Sequence, residues 1–403
     1  MKTIGIDARF MLRPLRGIPL YVARLCEFLP EVGKDYMFYY FINKGFEHND
    51  CPDNYLPRLE EIQKRHDNVR IIICDHDAEV VWEQFYLPRL ITKYRINLLH
   101  TPGNRICFFP GVPTVVTIHD VIEYLLLFKR FAANLSKFKT NMCMHFYNSR
   151  MAAYIWSTYK IALRRASHVI TVSHYSASDI VKYFKISTAL VTAIHHGLDR
   201  EFLLDNGDDT CSDRPSHTPL DSRRYVLMLG GDSHQKNPEG AIAAWSKVPE
   251  SIKAKYRLKI VGFCGDGSSP LIQALHRFKL EDSVDIHGWV TQGELIEFLR
   301  SAALFLYPSR YEGFGFPPLH AMASGTPVIS TNCSSIPEVL GNVGLTFDPD
   351  DHEKIACGIS KILTDEAAWN VQAENGIKRA QTFDWKKSAE SHMRVYEEVF
   401  GNA

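Results

Sequence analysis

Four segments of the sequence set reactive side chains beside glycines, prolines or strand ends. The most specific runs from Pro308 to Ile329 and contains Glu312-Gly313-Phe314-Gly315-Phe316-Pro317-Pro318-Leu319-His320. A predicted strand ends at Pro308, and a glycine-punctuated loop carries a carboxylate into a helix starting near Phe316. Gly313 and Gly315 let the backbone hug a ligand and turn N–H groups toward phosphate or sugar oxygens. Glu312, acceptor-only when ionised, suits ribose or hexose hydroxyls. His320 lies four residues past Phe316, about one helical turn further on.

The second segment is Gly230-Gly231-Asp232-Ser233-His234-Gln235-Lys236-Asn237. Glycines after a strand, a lysine charge and a capped helix start together make a phosphate site. It is not a G-x-x-x-x-G-K-[ST] loop, because Asn237 follows Lys236; a solvated lysine after a turn is the plainer alternative. The third segment, Thr114 to Asp120, brings His119 to a strand's carboxyl end, where it can donate to a substrate hydroxyl, shuttle a proton or simply pack. The fourth places Gly17 between the opening strand and a helix, either as a tight turn or as a close backbone approach to an anion.

These segments need a frame that brings strand ends to one place. Apolar, β-branched runs at 3–10, 36–43, 70–74, 96–101, 114–119, 168–173 and 191–195 alternate with helix-period stretches at 17–30, 79–94, 150–166 and 175–184. The alternation restarts with strands at 224–230, 256–262, 283–288, 303–308 and 327–331 and helices at 238–248, 269–278, 292–302, 316–324, 351–363 and 366–382. Such alternation implies parallel sheets covered on both faces, an α/β fold. Asn237 before Pro238, Thr291 with Glu294, and Asp384 before a helix at 385–400 read as helix caps. The polar stretch 199–223 is a linker or exposed insertion. The organisation expected is two Rossmann-like domains, 1–198 and 224–383, facing across a deep cleft, with the helix of 384–403 returning to the first.

Composition excludes several classes. The 403 residues, 45% apolar and 23% charged, exceed one ordinary core and fit two domains. A net charge of zero advertises no nucleic acid. The nine cysteines form no C-x-x-C and have no zinc spacing, as expected of free thiols in a reducing compartment. The opening MKTIGIDARF reads as a strand rather than a signal peptide, and no apolar run is long enough to span a bilayer, so a cytoplasmic protein is expected. Charge is nevertheless segregated: residues 124–178 hold no Asp or Glu but carry Lys129, Arg130, Lys137, Lys139, Arg150, Lys160, Arg164 and Arg165 among many aromatics. That pattern suits peripheral contact with the inner face of a membrane or an acceptor carrying a lipid diphosphate. RNA binding would also fit, but no RNA-binding motif accompanies it.

The Glu312 string resembles the signature of retaining glycosyltransferases of family 4, which have the GT-B fold. The likeness extends through IGIDARF and the Gly17 turn, TVVTIHD, RRASHVITVSHYSASDI, VTAIHHGLD, MLGGDSHQKN, VDIHGWVTQGEL and YEGFGFPPLHAMASGTPVI. Within the family it is most similar to mannosyl- and rhamnosyltransferase-like members of surface polysaccharide pathways. The resemblance implies a nucleotide-diphosphate sugar as donor, a glycan or lipid-linked glycan as acceptor, and neither metal nor cofactor. It implies that Gly17 faces the donor phosphates and sugar, that His119 contacts the transferred sugar, and that Lys236 neutralises the diphosphate. Glu312 would bind donor-sugar hydroxyls, and Phe314 and Gly315 would close on phosphate and sugar.

Three positions depart from that pattern. His320 stands where the family's second glutamate holds the ribose; an imidazole can still bond a hydroxyl, and it titrates between about pH 5 and 8. Gln235 stands where relatives carry an arginine, for which Arg310 is a possible substitute. Ile18-Pro19 follows Gly17 where a second glycine is common. These departures keep two other readings open: a non-catalytic nucleotide-sugar-binding subunit, and a sugar-nucleotide epimerase.

Overall fold

The computed structural model describes residues 1–46, 56–76, 78–126, 153–204, 220–231, 233–263, 265 and 269–402. The chain divides into two compact units, Met1–Gly197 with Asp384–Ala403, and Leu198–Phe383.

The first unit is built on a seven-stranded sheet. Its strands are β1 (Lys2–Asp7), β2 (Tyr36–Asn43), β3 (Val69–Cys74), β4 (Leu98–Thr101), β5 (Thr114–Thr117), β6 (His168–Thr171) and β7 (Val191–Ala193). They are ordered β3-β2-β1-β4-β5-β6-β7, and every pairing is parallel. β4, β5 and β6 are buried at every residue, which is why they read as apolar and β-branched runs, interrupted by His100 and His168, rather than alternating ones. The helix Ile18–Val32 follows β1 and packs against the last helix, Trp385–Gly401.

The second unit holds β8 (Tyr225–Leu229), β9 (Arg257–Val261), β10 (Val284–His287), β11 (Leu304–Tyr307), β12 (Val328–Thr331) and β13 (Leu345–Phe347). Their order is β10-β9-β8-β11-β12-β13, again all parallel. Its core gathers Trp245, Leu258, Ile260, Leu304, Ile329, Ile359 and Trp369 from sheet and helices. Both units are thus doubly wound Rossmann-like sheets, with the strand order reversing at β1/β4 and at β8/β11. In such sheets ligands bind beyond the carboxyl ends at the reversal point.

Several elements differ from the sequence expectation. The expected 79–94 helix runs from Glu79 to Lys93, with Tyr94 as its C-cap, and widens into a π-turn at Trp82–Tyr86. Leu56–Arg65, Ile336–Leu340 and β13 are additional elements, each short or lacking a clear apolar period. Residues 150–152 of the expected 150–166 helix lie outside the described residues; 153–160 are helical and Ala162–Arg165 tighten into a 3-10 turn. The flanks of the polar 199–223 stretch are not solvated throughout: Phe202, Leu220 and Arg223 are buried in the second unit. The caps form as their sequences require. Asn237 accepts from Gly240 N–H, Asp384 from Lys386 and Lys387, and Thr291 completes a capping box with Glu294.

Candidate functional site

In the second unit the two loops at the reversal point are those after β8 and β11, which carry Lys236 and Glu312. The structure brings these side chains together: Lys236 Nζ donates to Glu312 Oε1 and to Tyr307 Oη, both at 2.7 Å. Tyr307, the last residue of β11, donates its own hydroxyl to the same carboxylate oxygen at 2.8 Å. Ser309 Oγ also lies beside Oε1, its one proton shared between that oxygen and the Gln235 carbonyl. Among the described residues nothing donates to Oε2, and two of the three ammonium protons of Lys236 are used. One lysine proton and one carboxylate oxygen therefore remain for a ligand. Lys236 is 24% and Glu312 13% exposed, so neither is sealed. Burial works against the Lys236 charge, but Tyr307 and Glu312 outweigh it and raise its pKa, keeping it cationic.

The loops are tied to each other and to the sheet. Asn237, in a left-handed conformation at φ 53°, donates to the carbonyls of Pro308 at 3.1 Å and Pro349 at 3.2 Å. Gln235 contributes its backbone carbonyl, which accepts from Arg310 N–H and lies 2.9 Å from Ser309 Oγ. Ser334 Oγ accepts from Glu312 N–H at 2.9 Å, and Ser335 Oγ shares its one proton between the carbonyls of Phe314, at 2.6 Å, and Glu312, at 2.9 Å. Arg310 does not supply the missing cation beside Lys236. Its guanidinium makes two bonds to Asp350, at 2.6 and 3.0 Å, and one to Asn237.

Gly315, at φ 121°, sits where an L side chain is strained and opens the helix Phe316–Ala323. Pro317 and Pro318 bring no N–H, so any anion contact at this turn falls to Gly315 and Phe316. Phe314, beside Gly313, is buried edge-on against Phe316 and Phe383. His320 is buried too. Its ring stacks on Phe202 with centroids 3.7 Å apart and planes 7° from parallel, and its Nε2 has no hydrogen-bond partner. Burial pushes its pKa down to about 4, with Asp199 pulling weakly the other way. The expected titration between pH 5 and 8 is therefore corrected downward.

In the first unit Gly17 caps the Ile18–Val32 helix at φ 57°, with open space where a Cβ would stand. His119 lies just past β5 and is buried. Its backbone N–H goes to Asn104 Oδ1 at 2.7 Å and its Nε2 to the Pro102 carbonyl at 2.9 Å. A carbonyl only accepts, so Nε2 carries the proton and Nδ1 is the acceptor. Burial lowers the pKa to about 4 despite the Pro102 bond. The ring is neutral near pH 7, and it can accept from a sugar hydroxyl without breaking a bond; donation from Nε2 would require giving up Pro102.

Two family models cover most of the sequence: Glycosyltransferase Family 4 matches residues 15–202, and Glycosyl transferases group 1 matches residues 210–379. The chain belongs to the family 4 glycosyltransferases. This glycosyltransferase is 27% identical to the O-antigen chain mannosyltransferase B of Escherichia coli, over 63% of its own length and 66% of that protein. It is 26% identical to the serotype-specific mannosyltransferase WbdA of Escherichia coli, over 70% of its own length and 33% of that protein. It thus spans about two thirds of one relative and a third of the other. The structure of Anabaena HepE in complex with UDP and glucose superposes with a TM-score of 0.65 at 16% identity, covering 98% of this chain and 99% of that one. The fold is GT-B.

Tyr307, Ser309, Ser334 and Ser335 all contact Glu312 but carry no sequence signal beyond ordinary strand-end and turn chemistry. Of the basic and aromatic stretch, Lys129, Arg130, Lys137, Lys139 and Arg150 lie outside the described residues. Tyr154 and Tyr159 serve structure, the first bonded to Glu83 and the second stacked on Phe184. Trp156 is exposed, as are Arg164 and Arg165, and Arg165 lies over the exposed Phe109 ring. No helix among the described residues is long and apolar enough to cross a membrane.

Proposed function

We propose that this glycosyltransferase moves a hexose, with mannose the first candidate, from a nucleotide-diphosphate sugar to a glycan or lipid-linked glycan acceptor in surface polysaccharide synthesis. The observation that carries the reading is the Lys236–Glu312–Tyr307 cluster, which offers a cation and a carboxylate oxygen a few ångströms apart. The cation suits the β-phosphate of a departing nucleoside diphosphate, and the carboxylate suits the hydroxyls of the attached sugar. Charge on the leaving group is met by protein donors, so the transfer is proposed to need no metal and no cofactor. The bond from the anomeric carbon to the diphosphate breaks while the bond to the acceptor oxygen forms on the same face. The acceptor proton passes to the leaving phosphate, and the configuration is retained. The names of the mannosyltransferase relatives support mannose and polysaccharide assembly. The family match favours transfer over the epimerase and non-catalytic readings.

Thermal shift against a panel of nucleoside diphosphates and their sugars tests this, since a ligand that binds only the native state raises its stability. One nucleotide and its mannose conjugate should raise the midpoint together. A panel without any shift would overturn the reading. We further propose a cytoplasmic protein lying peripherally on the membrane, to be tested by co-sedimentation with anionic liposomes at low and moderate salt. Binding that salt screens away is expected. No binding at low salt would remove that part.

A further inference from the structure

The first unit buries a run of polar side chains that the proposed chemistry does not use. Tyr21 on the Ile18–Val32 helix, His100 on β4, Thr117 at the end of β5, and His392 and Tyr396 on the Trp385–Gly401 helix are all fully buried. They form one chain of hydrogen bonds. His392 Nδ1 meets the Ser388 carbonyl at 2.7 Å, and its Nε2 meets Tyr21 Oη at 2.7 Å. Tyr21 Oη meets Thr117 Oγ1 at 2.9 Å, Thr117 Oγ1 meets His100 Nε2 at 2.8 Å, and His100 Nδ1 meets Tyr396 Oη at 2.7 Å.

With neutral rings only one proton order fits. The Ser388 carbonyl can only accept, so His392 carries its proton on Nδ1 and accepts at Nε2 from Tyr21. Tyr21 then accepts from Thr117, Thr117 from His100 Nε2–H, and His100 Nδ1 from Tyr396. Burial supports neutrality, holding His392 at about 4 and His100 well below the ordinary histidine value. Phenylalanine and leucine of similar shape would fill this space without the cost of desolvating polar groups. What the polar chain adds is direction, because each ring is fixed about its own axis.

The fixed rings bear on His119. The Tyr21 ring meets the His119 ring edge-on, with centroids 4.8 Å apart and planes at 85°. Thr117, held from its side chain by Tyr21 and His100, gives its carbonyl to Asn104 N–H at 3.1 Å. Asn104 in turn receives the His119 N–H. The chain thus fixes both the wall against which the imidazole leans and the strand end that carries it. We infer that Tyr21 and His392 are positioning residues for His119: the last helix acts through His392 on Tyr21, and Tyr21 and Thr117 hold the imidazole where its Nε2–H stays on the Pro102 carbonyl, the bond that fixes the tautomer and leaves Nδ1 as acceptor. The catalytic consequence rests on the glycosyl-transfer reading; the tautomer of His119 does not.

The test uses full-length protein labelled with [15N]histidine and the variants Tyr21→Phe, His392→Leu and His392→Gln, the last keeping a side-chain acceptor for Tyr21. His119 is assigned in long-range 1H–15N spectra by its loss in His119→Gln. A single Nε2–H tautomer is expected for the parent and for His392→Gln, and a tautomer mixture or exchange-broadened signal for Tyr21→Phe and His392→Leu. With GDP-mannose as the probe, GDP release in Tyr21→Phe and His392→Leu should fall about tenfold or more in kcat at unchanged KM. The double variant should be no slower than the worse single variant, because the residues act in series. An unchanged His119 tautomer in Tyr21→Phe and His392→Leu would overturn the inference. So would equal kcat losses in His392→Gln and His392→Leu. Should the parent release no GDP, GDP-mannose fails as donor while the tautomer measurement still decides. Should His392→Leu not fold, Tyr21→Phe, which removes a single oxygen, carries the test.

Discussion

Lys236 Nζ lies 2.7 Å from Glu312 Oε1, so the residue assigned to the diphosphate and the residue assigned to the sugar hold each other. The pair is partly buried and reinforced by Tyr307, which bonds both partners. Each partner therefore fixes the other's position before a ligand is engaged, and removing either leaves the other unbalanced in the same pocket of charge. Preorganisation of this kind is where electrostatic stabilisation of a leaving group gains most, since nothing need reorient during the reaction.

Lys236→Ala and Glu312→Ala should each cut turnover by about 100- to 1,000-fold, the loss typical of one electrostatic contact to a developing charge. Tyr307→Phe, which removes one bond to each partner and keeps the ring, should cost about tenfold, corresponding to about 1–1.5 kcal/mol. Initial rates of nucleotide release are the measurement, with unfolding midpoints as the control for the fold. Near-normal rates in both alanine variants would remove Lys236 and Glu312 from the site.

Asn237 connects the three segments that meet at this pair: it caps the helix Pro238–Ser246 and bonds Pro308 and Pro349. Asn237→Ala loses the cap and both bonds, and should lower the stability of the second unit by about 1–2 kcal/mol in urea titrations. Activity should fall as well, because Lys236 is the preceding residue. A variant with full stability would show that the loop is held by its backbone alone.

The frame was readable because parallel strands buried on both faces leave runs rich in β-branched residues, as at Thr114–Thr117 and, apart from Ser330, at Val328–Thr331. The end of β11 was readable because Gly313 and Gly315 punctuate it. What stayed hidden depends on contacts between distant segments. Ser334 and Ser335 reach Glu312 across about twenty residues of chain, and Tyr307 looks like any other strand aromatic. Arg310 looked available beside Lys236, but Asp350, forty residues further on, takes its charge. Nothing in the motif shows the burial of His320, which occupies a ligand's place there. Its stacking on Phe202, from the far side of the polar stretch, makes it a core residue that carries an unpaired ring nitrogen.

Activity should survive a chelator. If Lys236 and backbone donors balance the diphosphate, excess EDTA should change the rate of nucleotide release by less than about twofold, well under the tenfold that 1.4 kcal/mol represents. Loss of activity with EDTA that magnesium or manganese restores would overturn the metal-free mechanism.

The burial of His320 also has a consequence for stability. Its folded pKa of about 4 lies below the ordinary histidine value of about 6.5. As pH falls below about 6.5 the unfolded chain binds a proton that the folded chain refuses, so stability declines. The decline ends near pH 4, where the folded form takes up the proton as well, and above about 6.5 the residue contributes no pH dependence. A shift of this size corresponds to about 3 kcal/mol lost across that window. His320→Phe keeps a ring for Phe202 to stack on and removes the titration. Its unfolding free energy in the second unit should therefore fall less than the parent's between pH 7 and 4, by roughly that amount. Nucleotide affinity should show no His320-dependent change between pH 5 and 8, because the residue is neutral throughout. Parallel pH–stability profiles for parent and variant would mean that His320 titrates near its ordinary value and that the Phe202 stack does not shield it.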